Sequence, residues 1–139
     1  MRKNIIFSGV LLVISIVLFV STAIAETPES YLTTLKAEAS AEPGYREFSA
    51  QRGAEFYKVK HGGDWSCSSC HTDDPTAEGK HAKSDKLIKP LAPSVNSERF
   101  TKLKKIKKWF RRNCNDVLDR ECTAQEKGDF LAYLLTIKK

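Results

Sequence analysis

Five consecutive residues place two thiols and an imidazole at a spacing that is typical of covalent haem attachment: Cys67-Ser68-Ser69-Cys70-His71. Each thiol can form a thioether with one vinyl group of a porphyrin. The imidazole follows the second thiol directly, so it can ligate the iron from the proximal side. We therefore predict one haem c, bound through Cys67 and Cys70, with His71 as the proximal ligand.

The same spacing of two cysteines also occurs in zinc sites and in thioredoxin-like redox pairs. A zinc site needs further ligands, and the remaining cysteines, Cys114 and Cys122, are eight positions apart, which is a poor spacing for a second pair. A redox pair normally opens a helix in a strand–helix pattern, which this sequence lacks. Covalent haem is therefore favoured, and a colourless zinc- or disulfide-bearing binding module is the alternative from another class.

The first 25 residues have the pattern of a secretory signal peptide. Arg2 and Lys3 precede an apolar run that ends in a small-residue site, Ala23-Ile24-Ala25. An uncleaved anchor is the alternative, because about 20 apolar residues can span a bilayer. The small-residue site favours cleavage after Ala25. We therefore expect a periplasmic protein that contacts the membrane only through its signal peptide.

Composition limits the classes of function. Cleavage shortens the chain from 139 to 114 residues, which is the size of one small domain. Without Arg2 and Lys3, 21 of the 23 basic residues remain against 17 acidic residues. Such a surplus of positive charge can indicate nucleic acid binding. For an exported haem protein it favours an acidic protein partner instead, and no nucleic acid ligand is expected.

Apolar periodicity predicts an all-α domain, since the regular segments have helical spacing and none alternates like a strand. The predicted organisation is a signal peptide (1–25), an N-terminal extension without an assigned role (26–43) and a haem-binding domain (44–139). Helices are predicted over Glu29–Ala41, about Tyr45–Lys60, from Asn96 or Thr101 to about Asn113, and from a capping box at Thr123 to about Ile137. The segment Thr72–Ser94 has the composition of a long loop that wraps one haem edge.

The third predicted helix has two distinct faces. Phe100, Leu103, Ile106, Phe110 and Asn113 are predicted to share one face. Basic side chains occupy the rest of the helix: Lys102, Lys104, Lys105, Lys107, Lys108, Arg111 and Arg112. A solvated helix face is one explanation of this cluster, and a docking surface for an acidic redox partner is the other.

The ligand on the distal side of the iron is harder to assign. Many haem electron carriers use methionine there, but the only methionine, Met1, leaves with the signal peptide, so His/Met ligation is excluded. His61 and His81 each lie ten positions from His71, and such short tethers make it difficult for either to reach around the porphyrin. Asn113 is a candidate because an amide on an apolar face needs a partner. A solvent-facing Asn113 and an open distal site remain as alternatives.

Part of the sequence resembles class I cytochrome c. Gly53 and Tyr57 before the attachment motif, with Phe130, Tyr133 and Leu134 in the last helix, are similar to that family's crossed terminal helices. Glycine inside a helix lowers its stability by roughly 1 kcal/mol relative to alanine. A close crossing of two helix backbones, which only glycine permits, would explain why position 53 is a glycine. The resemblance implies an all-α, class I cytochrome c-like fold with one covalent haem.

A narrower resemblance is to the sphaeroides haem protein (SHP) family. Three stretches carry it: Cys67–Pro75, Pro90–Ser94 with Arg99–Thr101, and Trp109–Leu134. Within the last stretch, the run Trp109–Leu118 carries most weight. In that family an asparagine is the sixth ligand of ferric haem and leaves on reduction, which opens the site to dioxygen or nitric oxide. The residue that matches it here is Asn113.

The SHP resemblance also implies a disulfide and a partner. The disulfide would join Cys114 to Cys122, the two cysteines that haem attachment leaves over. The partner would be a di-haem cytochrome c that donates electrons, and we expect it to dock on the basic helix 102–112. Trp109 and Phe110 are expected to wall the haem pocket beside the distal ligand.

The expected function is electron transfer by an exported monohaem cytochrome c, in which Asn113 leaves the iron on reduction and O2, NO or CO can bind. A bis-histidine carrier, inert towards gas and ligated by His61 or His81, is the alternative. Whether the protein is also an enzyme that acts on O2, NO or peroxide stays open. No distal histidine or acid is identifiable in the sequence to assist cleavage of an O–O bond.

Overall fold

The structure is a computed structural model that describes residues 26–138, so the predicted signal peptide lies outside the described residues. This part of the chain forms five helices and one antiparallel two-stranded ladder. The elements are α1 (Pro28–Ser40), α2 (Ala50–Lys58), α3 (Cys67–His71), β1 (Gly79–Lys80), β2 (Leu87–Ile88), α4 (Leu103–Leu118) and α5 (Ala124–Thr136). The predicted all-α fold class is confirmed. Within residues 26–138, no helix is long and apolar enough to cross a membrane.

Helix α1 begins at a capping box. The Thr27 side chain accepts a hydrogen bond from the Ser30 amide, and the Ser30 hydroxyl accepts one from the Thr27 amide, while Pro28 occupies the first turn. Tyr31 and Leu35 are buried, and α1 packs against α5. The helix predicted in the N-terminal extension is therefore confirmed, and its inner face belongs to the core.

Helix α2 is shorter than predicted. Its N-cap is Ser49, whose side chain accepts a hydrogen bond from the Arg52 amide at 3.3 Å, so Tyr45 and the residues after it precede the helix. At Gly53, α2 crosses α5 so closely that a Cβ atom would lie 1.9 Å from the Asp129 carbonyl oxygen. The close backbone crossing predicted from Gly53 is confirmed.

A buried ion pair locks this crossing. Asp129 is 5% exposed. Its carboxylate accepts two hydrogen bonds from the Arg52 guanidinium at 2.8 Å, one from the Ser49 amide at 2.7 Å and one from Gln125 Nε2 at 3.1 Å. A buried charge is tolerated when its hydrogen-bonding capacity is satisfied in this way. Because α2 precedes α3 and packs against it, these contacts also help to place the attachment motif.

Helix α4 begins after the predicted start and continues beyond the predicted end. Phe100 has a φ of +58°, so the chain turns there instead of entering a helix at Asn96, and the N-cap is Lys102. At the other end the helix is closed by Asp119, whose left-handed conformation has a φ of +56°. Asn113 therefore lies inside the helix and not at its end.

Helix α5 begins at the predicted capping box. The Thr123 side chain accepts a hydrogen bond from the Glu126 amide at 3.1 Å, and the Glu126 carboxylate accepts one from the Thr123 amide at 2.8 Å. Phe130, Leu131 and Leu134 are buried on its inner face. These side chains supply the part of the core against which both α1 and α2 pack.

Two clusters of buried side chains meet in the interior. One contains Leu35 of α1 and Ile106 of α4, and the other contains Tyr57 of α2. Phe100 and Phe110 pack against both clusters. The core between α1 and α4 is therefore continuous with the core next to the attachment motif.

Replacement of Gly53 by alanine should destabilise the fold strongly. The added methyl group would overlap the Asp129 carbonyl, and overpacking of this kind costs typically about 1–3 kcal/mol and sometimes more. We expect the free energy of unfolding, measured by denaturant titration, to fall by about 3 kcal/mol. Gly63→Ala is the matched control, since its nearest atom, the Val117 carbonyl oxygen, is at an ordinary 3.6 Å. Equal losses in the two variants would contradict a special role of the crossing.

Candidate haem site

The attachment motif forms a five-residue helix whose start is determined locally. The Ser66 hydroxyl accepts a hydrogen bond from the Ser69 amide at 3.2 Å, and the Ser69 hydroxyl accepts one from the Ser66 amide at 2.9 Å. Residues three and four apart in a helix share a face. Cys67, Cys70 and His71 therefore lie side by side, so the structure brings together the three residues that the sequence predicts for haem attachment.

The segment after the motif folds back against it. Strands β1 and β2 pair Gly79 with Ile88, and a Cβ atom at Gly79 would lie 2.1 Å from the Cys70 carbonyl oxygen. On the other side, Tyr57 of α2 donates its hydroxyl proton to the Thr72 carbonyl oxygen at 2.5 Å. Helix α3 is thus held between α2 and a hairpin. Only a loop was predicted here, because two-residue strands leave no periodicity in the sequence.

Burial also sets the protonation states within the motif. It raises the pKa of the Cys67 thiol to about 12, and a neutral thiol is a poor redox nucleophile. Burial and the positive charge of Arg99 lower the pKa of His71 to about 4, so the ring stays neutral and keeps a lone pair for a metal. Two cysteines outside any disulfide can form the thioethers of haem c, and the neutral imidazole can ligate its iron.

Helix α4 turns the side that carries Asn113 towards the segments that flank α3. The Asp116 carboxylate accepts a hydrogen bond from Lys83 Nζ at 3.3 Å. The Val117 carbonyl oxygen lies 3.6 Å from the position of a Cβ atom at Gly63. Asn113 precedes Asp116 and Val117 by one helical turn, so all three share a face. The Asn113 side chain is exposed on this face.

A lysine of the hairpin joins three segments around this face. Lys83 Nζ lies 4.6 Å from the centroid of the Trp65 ring and also contacts Asp116. Trp65 precedes the first motif cysteine by two residues, so the contact links both flanks of α3 to α4. It could not be predicted from the sequence, because Lys83 and Asp116 are 33 residues apart and no local spacing relates them.

The two predicted wall residues lie in different environments. Phe110 packs inward, with its ring centroid 5.7 Å from that of Phe130. Trp109 is 48% exposed and precedes Asn113 by one turn, so it shares the face that carries the asparagine. Phe110 is therefore a core residue that supports α4, and the role of both aromatic residues as walls of the pocket stays a prediction.

A disulfide holds the end of α4 that carries Asn113. It joins Cys114 to Cys122, and both residues are buried. The structure thus contains the pairing that the SHP resemblance implies. Because Cys122 directly precedes the capping box of α5, the disulfide connects the last turns of α4 to the start of α5.

The two histidines considered as alternative distal ligands are each engaged within their own segments. His61 Nε2 lies 2.9 Å from the Phe56 carbonyl oxygen, and the His61 and Phe56 rings are tilted by 42° with centroids 4.5 Å apart. His81 Nδ1 accepts a hydrogen bond from the Lys83 amide at 3.2 Å. One ring nitrogen of each histidine is therefore already used in a local contact.

Removal of the disulfide by a double Cys114→Ser and Cys122→Ser substitution should destabilise the protein. The disulfide closes a nine-residue ring and so lowers the conformational entropy of the unfolded chain. In the loop-entropy model this stabilises the folded protein by about 2.5 kcal/mol. We expect chemical unfolding to show a loss of that size. Treatment of the parent protein with a reductant should reproduce the loss and should leave the double variant unaffected. An unchanged unfolding free energy would show that packing alone holds the end of α4.

Comparison with known proteins identifies relatives at the level of sequence. Residues 43–134 match a family model described as a domain of unknown function, DUF1924. The chain is 42% identical over 104 residues to cytochrome c'' of Methylophilus methylotrophus, and the match covers 72% of both chains. It is 45% identical over 89 residues to the cytochrome c-type protein SHP of Cereibacter sphaeroides, which covers 61% of this chain and 68% of that protein.

Solved structures of the same relatives share the fold. Oxidised cytochrome c'' superposes with a TM-score of 0.70 at 39% identity, over 81% of this chain and 95% of the other. Oxidised SHP, described as an oxygen-binding cytochrome c, superposes with a TM-score of 0.67 at 36% identity, over 79% of this chain and 96% of the other. The predicted resemblance, the fold and the covalent haem c are thereby confirmed. The chain belongs to the family of cytochrome c'' and SHP, and it is a monohaem c-type cytochrome.

Proposed function

We propose that this cytochrome is an exported electron carrier whose distal ligand depends on the oxidation state. Cys67 and Cys70 carry the haem, and His71 is the proximal ligand. Asn113 ligates the ferric iron, leaves it on reduction and so opens the site to dioxygen or nitric oxide. The bound haem supplies the one-electron chemistry and the gas site.

The placement of α4 is the observation that carries this proposal. Lys83 contacts Asp116 at 3.3 Å, and Gly63 approaches Val117, which brings the asparagine face of α4 opposite the segments on either side of the attachment motif. The segments that flank the helix of His71 thus lie against the helix that carries Asn113. Asn113 is exposed on this face, and among residues 26–138 its amide makes no side-chain hydrogen bond that would have to break before it binds a metal.

The chemistry of an amide suits a ligand that leaves on reduction. The Asn113 oxygen is a hard, neutral donor, which favours ferric over ferrous iron. Reduction therefore weakens its bond. Because the neighbouring Cys114 is held in a disulfide, we expect rotation of the Asn113 side chain to withdraw the oxygen while α4 stays in place.

Both relatives support this reading. SHP is described as an oxygen-binding cytochrome c. A solution structure of cytochrome c'', with a TM-score of 0.69 at 39% identity, is described in terms of haem-ligand detachment. We transfer both properties to this chain, with Asn113 as the ligand that detaches.

Arg99 is the residue that we assign to a haem propionate. It donates hydrogen bonds to the Lys89 and Pro90 carbonyl oxygens at 2.5 and 2.9 Å, and its charge acts on His71. Burial lowers the pKa of its guanidinium. Among residues 26–138, no carboxylate forms an ion pair with it. A propionate would supply the missing negative charge.

Visible spectra of the oxidised, reduced and carbon monoxide-treated protein test the ligand exchange. We expect a high-spin ferrous haem that takes up carbon monoxide readily. Asn113→Ala should change the ferric spectrum and leave the ferrous spectrum unchanged, because the ligand is absent from the ferrous state. His61→Ala and His81→Ala are the controls, and neither should alter any of the spectra.

The opposite outcome would establish the bis-histidine carrier. In that case the ferrous haem would be low-spin and would not bind carbon monoxide. Substitution of His61 or His81 would then convert it to a form that does. A ferric spectrum that Asn113→Ala leaves unchanged would by itself show that the asparagine is not a ligand.

We further propose that the outer side of α4 docks an acidic electron donor, for which the family resemblance implies a di-haem cytochrome c. Basic residues occupy 104, 105, 107, 108, 111 and 112, all exposed, and the first acidic residue of α4 is Asp116. A surface of one sign raises the rate of encounter with a partner of the opposite sign. The same helix would then receive the partner and carry the distal ligand.

Charge reversal on α4 tests this surface. With a double Lys104→Glu and Lys108→Glu substitution, we expect the second-order rate of reduction by an acidic cytochrome at low salt to fall by about tenfold or more. The salt dependence of the rate should weaken as well. A double Lys58→Glu and Lys60→Glu substitution makes the same change of net charge elsewhere and should have a smaller effect. Equal losses would mean that net charge steers the encounter and α4 does not.

A further inference from the structure

We infer that the N-terminal segment Glu26–Ser40 positions α4 and thereby sets how tightly Asn113 binds ferric iron. The match to the family model begins after this segment, at residue 43. The inference rests on the proposed ligation by Asn113. Within the segment, Glu26 is a positioning residue, because it acts through α4 and not on the haem.

Helix α4 begins without a cap of its own. Its N-cap residue, Lys102, makes no side-chain hydrogen bond to the free amides, and the first turn contains no acidic residue. Lys104 and Lys105 lie in that turn instead, and their charges oppose the positive end of the helix dipole. A start of this kind leaves amides without partners and is weak when it stands alone.

Glu26 supplies the missing cap from a distant part of the chain. Its carboxylate accepts a hydrogen bond from the amide of Leu103, the first residue of α4, across a sequence separation of 77 residues. A carboxylate there satisfies an amide, complements the dipole and offsets the nearby lysines. The stability of the first turn of α4 therefore depends on the N-terminal segment.

Helix α1 continues this support along α4. Tyr31 is 7% exposed, and its ring centroid lies 6.3 Å from that of Phe110. Leu35 is fully buried in the same cluster as Ile106. Phe110 precedes Asn113 by three residues, so α1 packs directly against the turn before the proposed ligand.

Helix α4 is thus held at both ends, by Glu26 at its start and by the disulfide of Cys114 near its end. While both contacts are in place, Asn113 stays within reach of the iron. When the start of the helix is released, the asparagine is held less closely and its ferric complex weakens. The ferrous state is not affected, because Asn113 does not bind there.

The reduction potential of a Glu26→Ala variant tests the inference. Loss of an N-cap typically costs about a factor of five in an equilibrium constant. We therefore expect ferric ligation to weaken by up to about fivefold. Because the ligand stabilises only the ferric state, the potential should rise by up to about 40 mV. The ferric spectrum should shift in the direction of the Asn113→Ala spectrum.

Two further variants serve as comparisons. Glu26→Gln keeps an acceptor oxygen and removes the charge, so its potential should rise by less. Glu47→Gln is the matched control: its carboxylate pairs with Lys36 of α1 at 2.8 Å, so the variant removes a contact of α1 and leaves the α4 cap in place. It should change neither the potential nor the spectrum. Intact mass should confirm that every variant carries one haem and begins at the same residue.

The double variant of Glu26→Ala with Asn113→Ala separates the possible failures. If Glu26 acts through Asn113, its substitution shifts no potential in this background, and a shift that persists overturns the inference. If Asn113→Ala changes the ferric spectrum and Glu26→Ala does not, only the inference about Glu26 is wrong. If Asn113→Ala leaves the ferric spectrum unchanged, the proposed ligation is wrong and the inference is overturned with it.

Discussion

Helices α2 and α5 cross with their backbones in contact at Gly53 and Asp129, and the two sides of the haem site are joined through this contact. Helix α2 packs on α3, which carries the attachment motif, while α5 shares a core with α4 and is connected to it through Cys122. The crossing leaves no room for a side chain and is locked by the ion pair to Arg52. The separation of α3 and α4 therefore depends on a rigid contact.

Such rigidity matters for the proposed ligation by Asn113, because an amide is a weak ligand. The small energy of its bond to iron is easily cancelled by the conformational freedom that a mobile side chain loses on binding. The helix has already fixed the backbone at Asn113, so only the freedom of the side chain is left to lose. This accounts for the number of contacts that converge on α4, from the N-terminal Glu26, from Lys83 of the hairpin and from the disulfide at Cys114.

Some features of the fold could be predicted because a local signal in the sequence marks them, such as a capping box or a glycine inside a helix. The capping box at Thr123 and the close crossing at Gly53 are both present. The extents of α2 and α4 were predicted less well. Phe48 has the helical spacing of α2, but Ser49 is the N-cap, so α2 begins after it. The chain turns at Phe100, so α4 begins only at Leu103. In both cases a local turn overrides the apolar periodicity that indicates a helix.

The sequence by itself determined the chemistry of this protein, since Cys67, Cys70 and His71 lie within five residues and no methionine follows Met1 to act as the common distal ligand. Only the tertiary structure decided how α4 is held. The cap that Glu26 provides joins residues 77 positions apart, and the contact of Lys83 with α4 spans 33. Local spacing carries no information about such pairs, because their partners become neighbours only when the helices pack.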